Sequence, residues 1–285
     1  MKIALIDVDS KMPNLALMKI SAHHKNKGDQ TSLYKPLFDR PDKAYASKIF
    51  TFTDDYKYFP SCEIVKGGSG YGLDNTLDRD IEHIYPDYDL YHIDYAMGFT
   101  TRGCIRNCDF CIVPEKEGKI QAVADIYQFW NGQKQLMLMD NNLTALPDHF
   151  ERILNQLIDN KIATNFSQGL DIRLINEDMA KLLAKVKLYK RIHFAFDHVR
   201  DEKHVRKGIK ILNDNGVKGY KLTFYVLIGF DSTPEEDLYR VELLRSLKVD
   251  PFVMPYDKKN DYQKKFSRWV NHKAIFKTVK WQDYR

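Results

Sequence analysis

Residues 104–111 read CIRNCDFC, so three of the chain's four cysteines fall within eight residues. Cys104, Cys108 and Cys111 follow the spacing C-x3-C-x2-C, and three kinds of chemistry share that pattern. On a helix the thiols would lie on one buried face, but Gly103, Asn107, Asp109 and Pro114 make a poor helix interior. Zinc takes closely spaced thiolates, yet a structural zinc ion wants four ligands, and Cys62 or His92 would have to supply the last. An iron–sulfur cubane has four irons held by thiolates. Three cysteines then leave one iron open, and an open metal position is where a substrate or cofactor binds. On that reading the missing fourth ligand is the functional feature.

The bulk composition sets limits around this loop. A chain of 285 residues is enough for one large or two ordinary domains. Its 44% hydrophobic content is ordinary for a globular core. No run of 18 apolar residues occurs, so no membrane span is expected. The opening MKIALIDVDS is interrupted by Asp7 and Asp9, and reads as a buried strand, not a signal peptide. Four clustered cysteines do not make a disulfide scaffold, so a cytoplasmic, reducing location is expected. The net charge of +5 is mild but uneven: residues 257–285 carry nine Lys or Arg against three Asp.

The elements that must position the thiols follow an α/β rhythm. KIALIDV reads as a first strand, with Asn14 capping a helix through LALMKISAHH and Gly28 ending it. SLY, KAYASKIFTF and CEIVKGG read as further strands, giving a small parallel, Rossmann-like unit over residues 1–92. From residue 93 the rhythm repeats at larger scale. Strands are expected at 95–101, 135–140, 164–169, 191–196, 222–230 and 251–256. Helices are expected near 121–131, 147–160, 176–186, 201–214 and 234–247, with Pro147 and Pro234 in first turns and Thr144 and Thr233 as nearby caps. Such a series predicts a partial (β/α)6 barrel over 93–256, with its chemistry at the carboxyl ends of the strands.

With that placement, C-x3-C-x2-C with Phe110 before the last cysteine resembles the motif of the radical S-adenosylmethionine (SAM) superfamily. The resemblance implies a 4Fe–4S cluster on Cys104, Cys108 and Cys111 whose open iron takes the amino and carboxylate groups of SAM. It also implies one-electron cleavage of SAM to a 5′-deoxyadenosyl radical that abstracts hydrogen from a substrate. LMDNN (138–142) resembles the segment that contacts the SAM amino group, which implies Asp140, Asn141 and Asn142. SQGLDIR (167–173) resembles the third-strand region, which implies Gln168 and Arg173, the latter suited to a carboxylate. Asp197, ending the fourth strand, would take ribose hydroxyls, and YVLIGF, with Ile228 and Gly229, resembles the strand that packs on adenine.

Residues 1–92 resemble the domain preceding the barrel in cobalamin-binding radical SAM enzymes, and KGGSGYG (66–72) sits where a glycine-rich cofactor loop would be. The cobalamin motif D-x-H-x-x-G is absent, so cobalamin is not expected. The tRNA methylthiotransferases carry three further cysteines for a second cluster in their preceding domain, whereas this segment offers Cys62 alone. The tail 257–285 interleaves Lys with Phe266, Trp269, Phe276, Trp281 and Tyr284. It reads first as a packing helix on the open side of the barrel with its lysines in water, and second as a nucleic-acid surface. A flavodoxin- or ferredoxin-like electron donor is the implied partner. The substrate is left open among nucleic acid, peptide and small metabolite. The competing class is a zinc- or cluster-stabilised binding module without catalysis.

Overall fold

The computed structural model describes residues 1–284; Arg285, at the end of the tail, lies outside the described residues. Two groups of parallel strands organise the α/β chain. The first is a four-stranded sheet of β1 (Lys2–Asp7), β2 (Gln30–Leu33), β3 (Lys43–Ser47) and β4 (Glu63–Gly67), in the order β2-β1-β3-β4. Pairing is parallel throughout, with Leu5 opposite Leu33 on one side and Tyr45 on the other. Helix α1 (Leu15–Asn26) covers one face, where Leu17 and Ile20 meet Ile3 and Leu5. Asn14 caps it as expected, accepting from Leu17 N at 3.2 Å, and its amide also reaches Ser47. The expected alternation of strand and helix is incomplete here, because loops without a helix join β2 to β3 and β3 to β4.

The loop after β1 is pinned by its own acids. Asp7 takes Ser10 N and the Tyr91 hydroxyl, and Asp9 takes Ile49 N and Phe50 N. The glycines of 67–72 also answer to their neighbours. Gly68 has a φ of 91°, and a Cβ there would lie 2.3 Å from Lys48 O. Gly70 N donates to the same carbonyl at 2.9 Å. These glycines let the loop lie against the backbone of 48–50.

The second group begins after α2 (Arg79–Glu82) and a 3-10 turn at Tyr88–Tyr91. Strands β5 (Ala96–Gly98), β8 (Gln135–Leu138) and β9 (Ala163–Phe166) form one parallel sheet. Strands β10 (Ile192–Ala195), β11 (Leu222–Ile228) and β12 (Asp250–Pro255) form the next. Leu170 N reaches His193 O at 2.8 Å, so the series runs on from β9 to β10. Between β5 and β8 lie the two-residue antiparallel strands β6 (Thr101–Arg102) and β7 (Gln121–Ala122), with α3 (Val113–Glu117) between them.

Outside the strands run α4 (Pro147–Asp159), α5 (Glu177–Lys185), α6 (Glu202–Asp214) and α7 (Pro234–Ser246), close to the expected helices. Alternate strand residues such as Phe194, Phe224, Val226, Ile228 and Val253 join the helices' apolar faces in one core. Thr233 caps α7 in a full capping box with Glu236. Thr144 caps nothing: its hydroxyl donates to Asn142 Oδ1 at 2.8 Å and accepts from Asp171 N at 3.0 Å. The helix expected at 121–131 is absent. β7 pairs with β6, Val123 N bonds Thr100 O, and only a 3-10 turn at Ile126–Gln128 follows.

The tail forms α8 (Asp261–Asn271) and α9 (Lys273–Thr278). Phe266, Trp269, Val270 and Phe276 are buried, while Lys264, Lys265, Lys273 and Lys277 are exposed, as the packing reading requires. Helix α8 lies against β12, and Asn271 bonds both backbone groups of Val253, accepting from its N–H at 2.8 Å and donating to its carbonyl at 3.0 Å. Among the described residues no helix is long and apolar enough to cross a membrane.

Candidate functional site

The six parallel strands β5, β8, β9, β10, β11 and β12 present their carboxyl ends on one edge, and the implied site residues sit just beyond them. After β5 the chain enters the cysteine loop through Thr100 and Thr101, both fully buried. Gly103 has a φ of 80°, and a Cβ there would lie 2.4 Å from Lys119 O, so only glycine fits this turn without strain. Cys104, Cys108 and Cys111 are free thiols, the first two half-buried and Cys111 exposed. Phe110 packs edge-on to Phe230 at 5.6 Å, and Phe230 packs edge-on to Tyr256 at 5.0 Å. The loop therefore leans across the ends of β11 and β12.

Strand ends across the barrel hold this loop. Asp140, after β8, is buried, and its Oδ1 accepts from the backbone and hydroxyl groups of both Thr100 and Thr101. Burial pushes its carboxyl well above the ordinary range, against those hydrogen bonds. Its Oδ2 is buried without a hydrogen-bond partner among the described residues. Asp140 thus faces the loop's root. Asn141 donates to Glu117 Oε2 at 2.8 Å, and Asn142 Nδ2 lies 3.6 Å from Cys104 Sγ, so Asn142 is the member of this trio that faces the thiols.

Gln168, after β9, is exposed. Arg173 lies further on, its guanidinium forked onto Asp171 at 2.7 and 3.1 Å and reaching Asp201 at 3.4 Å. Asp171 also takes Arg106 of the cysteine loop at 2.8 Å. Burial would raise the Asp171 carboxyl, but Arg173 and then Arg106 outweigh it and hold it below the usual range. Asp197, after β10, accepts from Leu227 N at 2.9 Å, and burial raises its carboxyl. Burial also raises the Cys108 thiol; neighbouring Cys111 adds to this and Arg173 opposes it.

Two implied adenine-side residues have structural neighbours of their own. Ile228 is buried in the core. Gly229 has a φ of 75°, and a Cβ there would lie 2.0 Å from Gln263 Nε2 on α8. Sequence reasoning passed over Glu117, Arg106, Asp171 and Arg240. Arg240, fully buried, donates to the carbonyls of Phe196, Asp197 and Leu227 and pairs with Asp237 at 2.6 Å, joining the ends of β10 and β11. Asp171 stood inside the SQGLDIR stretch and Arg106 between the first two cysteines, so position was the available signal for both.

The donor set suits an iron–sulfur cluster. Three unpaired thiols share one braced loop, to which Asn142 after β8 and Asp171 after β9 are bonded. Among the described residues no three His, Cys, Asp or Glu side chains converge on one ion position.

A parallel six-strand half-barrel with this cysteine loop on its carboxyl edge relates the chain to the radical SAM superfamily, and comparison with known proteins supports the relationship. No family model matches the chain. It is 24% identical over 153 residues to the ribosomal protein uS12 methylthiotransferase RimO of Ruegeria pomeroyi, covering 50% of this chain and 28% of that protein. RimO of a Psychrobacter species is 24% identical over 137 residues, 46% of this chain and 24% of that protein. The matches thus span about a quarter of these relatives' length. In structure the chain resembles the radical SAM methyltransferase TsrM from Kitasatospora setae, solved with cobalamin and a 4Fe–4S cluster. The TM-score is 0.66 at 10% identity, covering 89% of this chain and 74% of TsrM. Since TsrM carries cobalamin, the expectation that this chain takes none rests on its sequence alone.

Proposed function

We propose that this chain is a radical SAM enzyme in which Cys104, Cys108 and Cys111 ligate three irons of a 4Fe–4S cluster and leave the fourth to SAM. The observation that carries the reading is the set of three free thiols on a braced loop at the carboxyl edge of the parallel half-barrel. When bound, the cluster supplies the electron that cleaves SAM to a 5′-deoxyadenosyl radical able to take hydrogen from a substrate. The electron would come from a flavodoxin- or ferredoxin-like donor.

The protein's own share is positioning. Asp140 and Glu117 hold the root of the loop, and Arg106 ties its middle to Asp171. Asn142 stands beside the first thiol, with Gln168, Arg173 and Asp197 on the adjoining strand ends as the SAM-side groups. Arg173 is forked onto Asp171, so binding a SAM carboxylate requires it to exchange that partner. RimO acts on a ribosomal protein by its name, but the segment before the barrel here offers Cys62 alone, so the proposal stops at SAM cleavage and hydrogen abstraction.

Anaerobic reconstitution tests this. About four irons and four sulfides per chain should load, and dithionite should then release 5′-deoxyadenosine from SAM. Cys108→Ala should abolish both. SAM cleavage that persists in that variant refutes the assignment.

A further inference from the structure

The cysteine loop is also held from the first sheet unit. Lys19 of α1 directs its ammonium at Glu82 of α2, 3.1 Å from Oε1 and also bonded to the Glu82 carbonyl. The same Oε1 takes Arg102 Nη2 at 3.0 Å. Arg102 gives its other terminal nitrogen to Glu117 Oε1 at 3.1 Å, and its guanidinium lies 3.5 Å from the centre of the Phe99 ring. Glu117 Oε2 then accepts from Gly103 N at 2.9 Å and Asn141 Nδ2 at 2.8 Å. Cys104, the next residue, donates its own N–H to Gly118 O at 3.2 Å.

Four charged side chains of alternating sign thus run from α1 to the residue before the first thiol. The two ends of the run are sheltered, with 9% exposure at Lys19 and 14% at Glu117, and the middle is partly exposed, with 30% at Glu82 and 27% at Arg102. The receiving end is stiff, because Gly103 sits in a left-handed turn that the backbone at Lys119 closes off. A displacement of Arg102 therefore passes to Gly103 and Cys104 through a segment with little freedom to absorb it.

We propose that Arg102 is a positioning residue through which the first sheet unit, by way of Lys19 and Glu82, fixes the place of Cys104. The purpose of this coupling rests on the cluster reading above, but the coupling itself is a statement about the thiol. It is tested on the full chain without iron, by timing iodoacetamide alkylation of each cysteine with peptide mass spectrometry. In Glu82→Gln, Cys104 should react about two- to fivefold faster, the size expected for releasing a partly exposed ion pair. Arg102→Gln should exceed that, and Arg102→Lys should recover part of the difference. Cys62, on the far side of the first sheet unit, should keep its rate in every variant, as should Cys104 in Lys210→Met, which breaks a separate surface pair on α6.

Iron loss to a chelator from the reconstituted chain should quicken by a similar factor in Glu82→Gln. An unchanged Cys104 rate in both Glu82→Gln and Arg102→Gln overturns the proposal. So does a rise at Cys104 matched at Cys62, which would be general loosening. Faster Cys104 alkylation in a chain that takes up no iron would sink the cluster reading and leave the coupling standing.

Discussion

Replacing Gly229 with alanine should destabilise the protein by about 2 kcal/mol, and the contributions can be separated. A left-handed φ, here 75°, costs an alanine about 1–2 kcal/mol. The new methyl would lie 2.0 Å from Gln263 Nε2 and 2.8 Å from its Oε1, so that buried side chain must move. Gln263 Oε1 accepts from Asp257 N at 2.9 Å, and losing that bond costs about 1 kcal/mol. Alanine also restricts the unfolded chain, which offsets roughly 0.4–1 kcal/mol. Urea unfolding followed by circular dichroism, on the wild type, Gly229→Ala, Gln263→Ala and the double variant, measures each part. With Gln263 already truncated, the Gly229→Ala loss should fall to about 1 kcal/mol, the backbone share alone. The reasoning fails if Gly229→Ala costs under about 0.5 kcal/mol, the ordinary surface range. It fails equally if the loss is the same in both backgrounds.

Asp171→Asn should lose stability in a pH-dependent way. The folded carboxyl lies below its ordinary value of 3.8, so its stabilisation is fully present above that pH and is lost as pH falls through the folded value. The gap between variant and wild type in urea midpoint should be widest near neutrality and close toward pH 3; a constant gap from pH 6 to pH 3 contradicts the ion-pair account. Asp237→Ala leaves Arg240 buried without its carboxylate and should cost about 3–5 kcal/mol, whereas the same change at Asp214, in an exposed pair, should cost under 1 kcal/mol. Equal losses at the two positions would mean that the buried network contributes little.

The parts legible in the sequence were those set by local chemistry. The strand runs, the caps at Asn14 and Thr233 and the cysteine spacing each depend on residues a few positions apart. What escaped depends on distant partners. Thr144 would cap α4 on local rules, but its hydroxyl is engaged by Asn142 and by Asp171 N, 27 residues away. The segment 121–131 has helical spacing, yet its start is drawn into the ladder that closes the cysteine loop. Gly229 and Gly68 stood out as glycines, one ending the YVLIGF strand and one in the KGGSGYG loop, but what packs on them was not readable. The atoms that require them are Gln263 and Lys48 O, which no short window of sequence contains. Asp140 illustrates the same limit: its place at a strand end was readable, but the direction of its carboxylate was decided by two buried threonines 39 and 40 residues earlier.

The half-barrel stops at β12, on whose outer edge Val253 lies between Pro251 and Pro255, two residues with no N–H to offer. Asn271 answers the N–H and carbonyl of Val253 with one amide, in the manner of an adjoining strand's peptide group. The flanking Phe252 and Met254 remain partly exposed, 44% and 36%, so the edge is apolar as well as hydrogen-bonding. Left open, such an edge is a template for intermolecular pairing. Asn271 and the two prolines together therefore close this edge to a further strand. A chain ending before Asn271 would leave the Val253 pair unanswered, and the two prolines alone would then stand between this edge and a neighbouring strand.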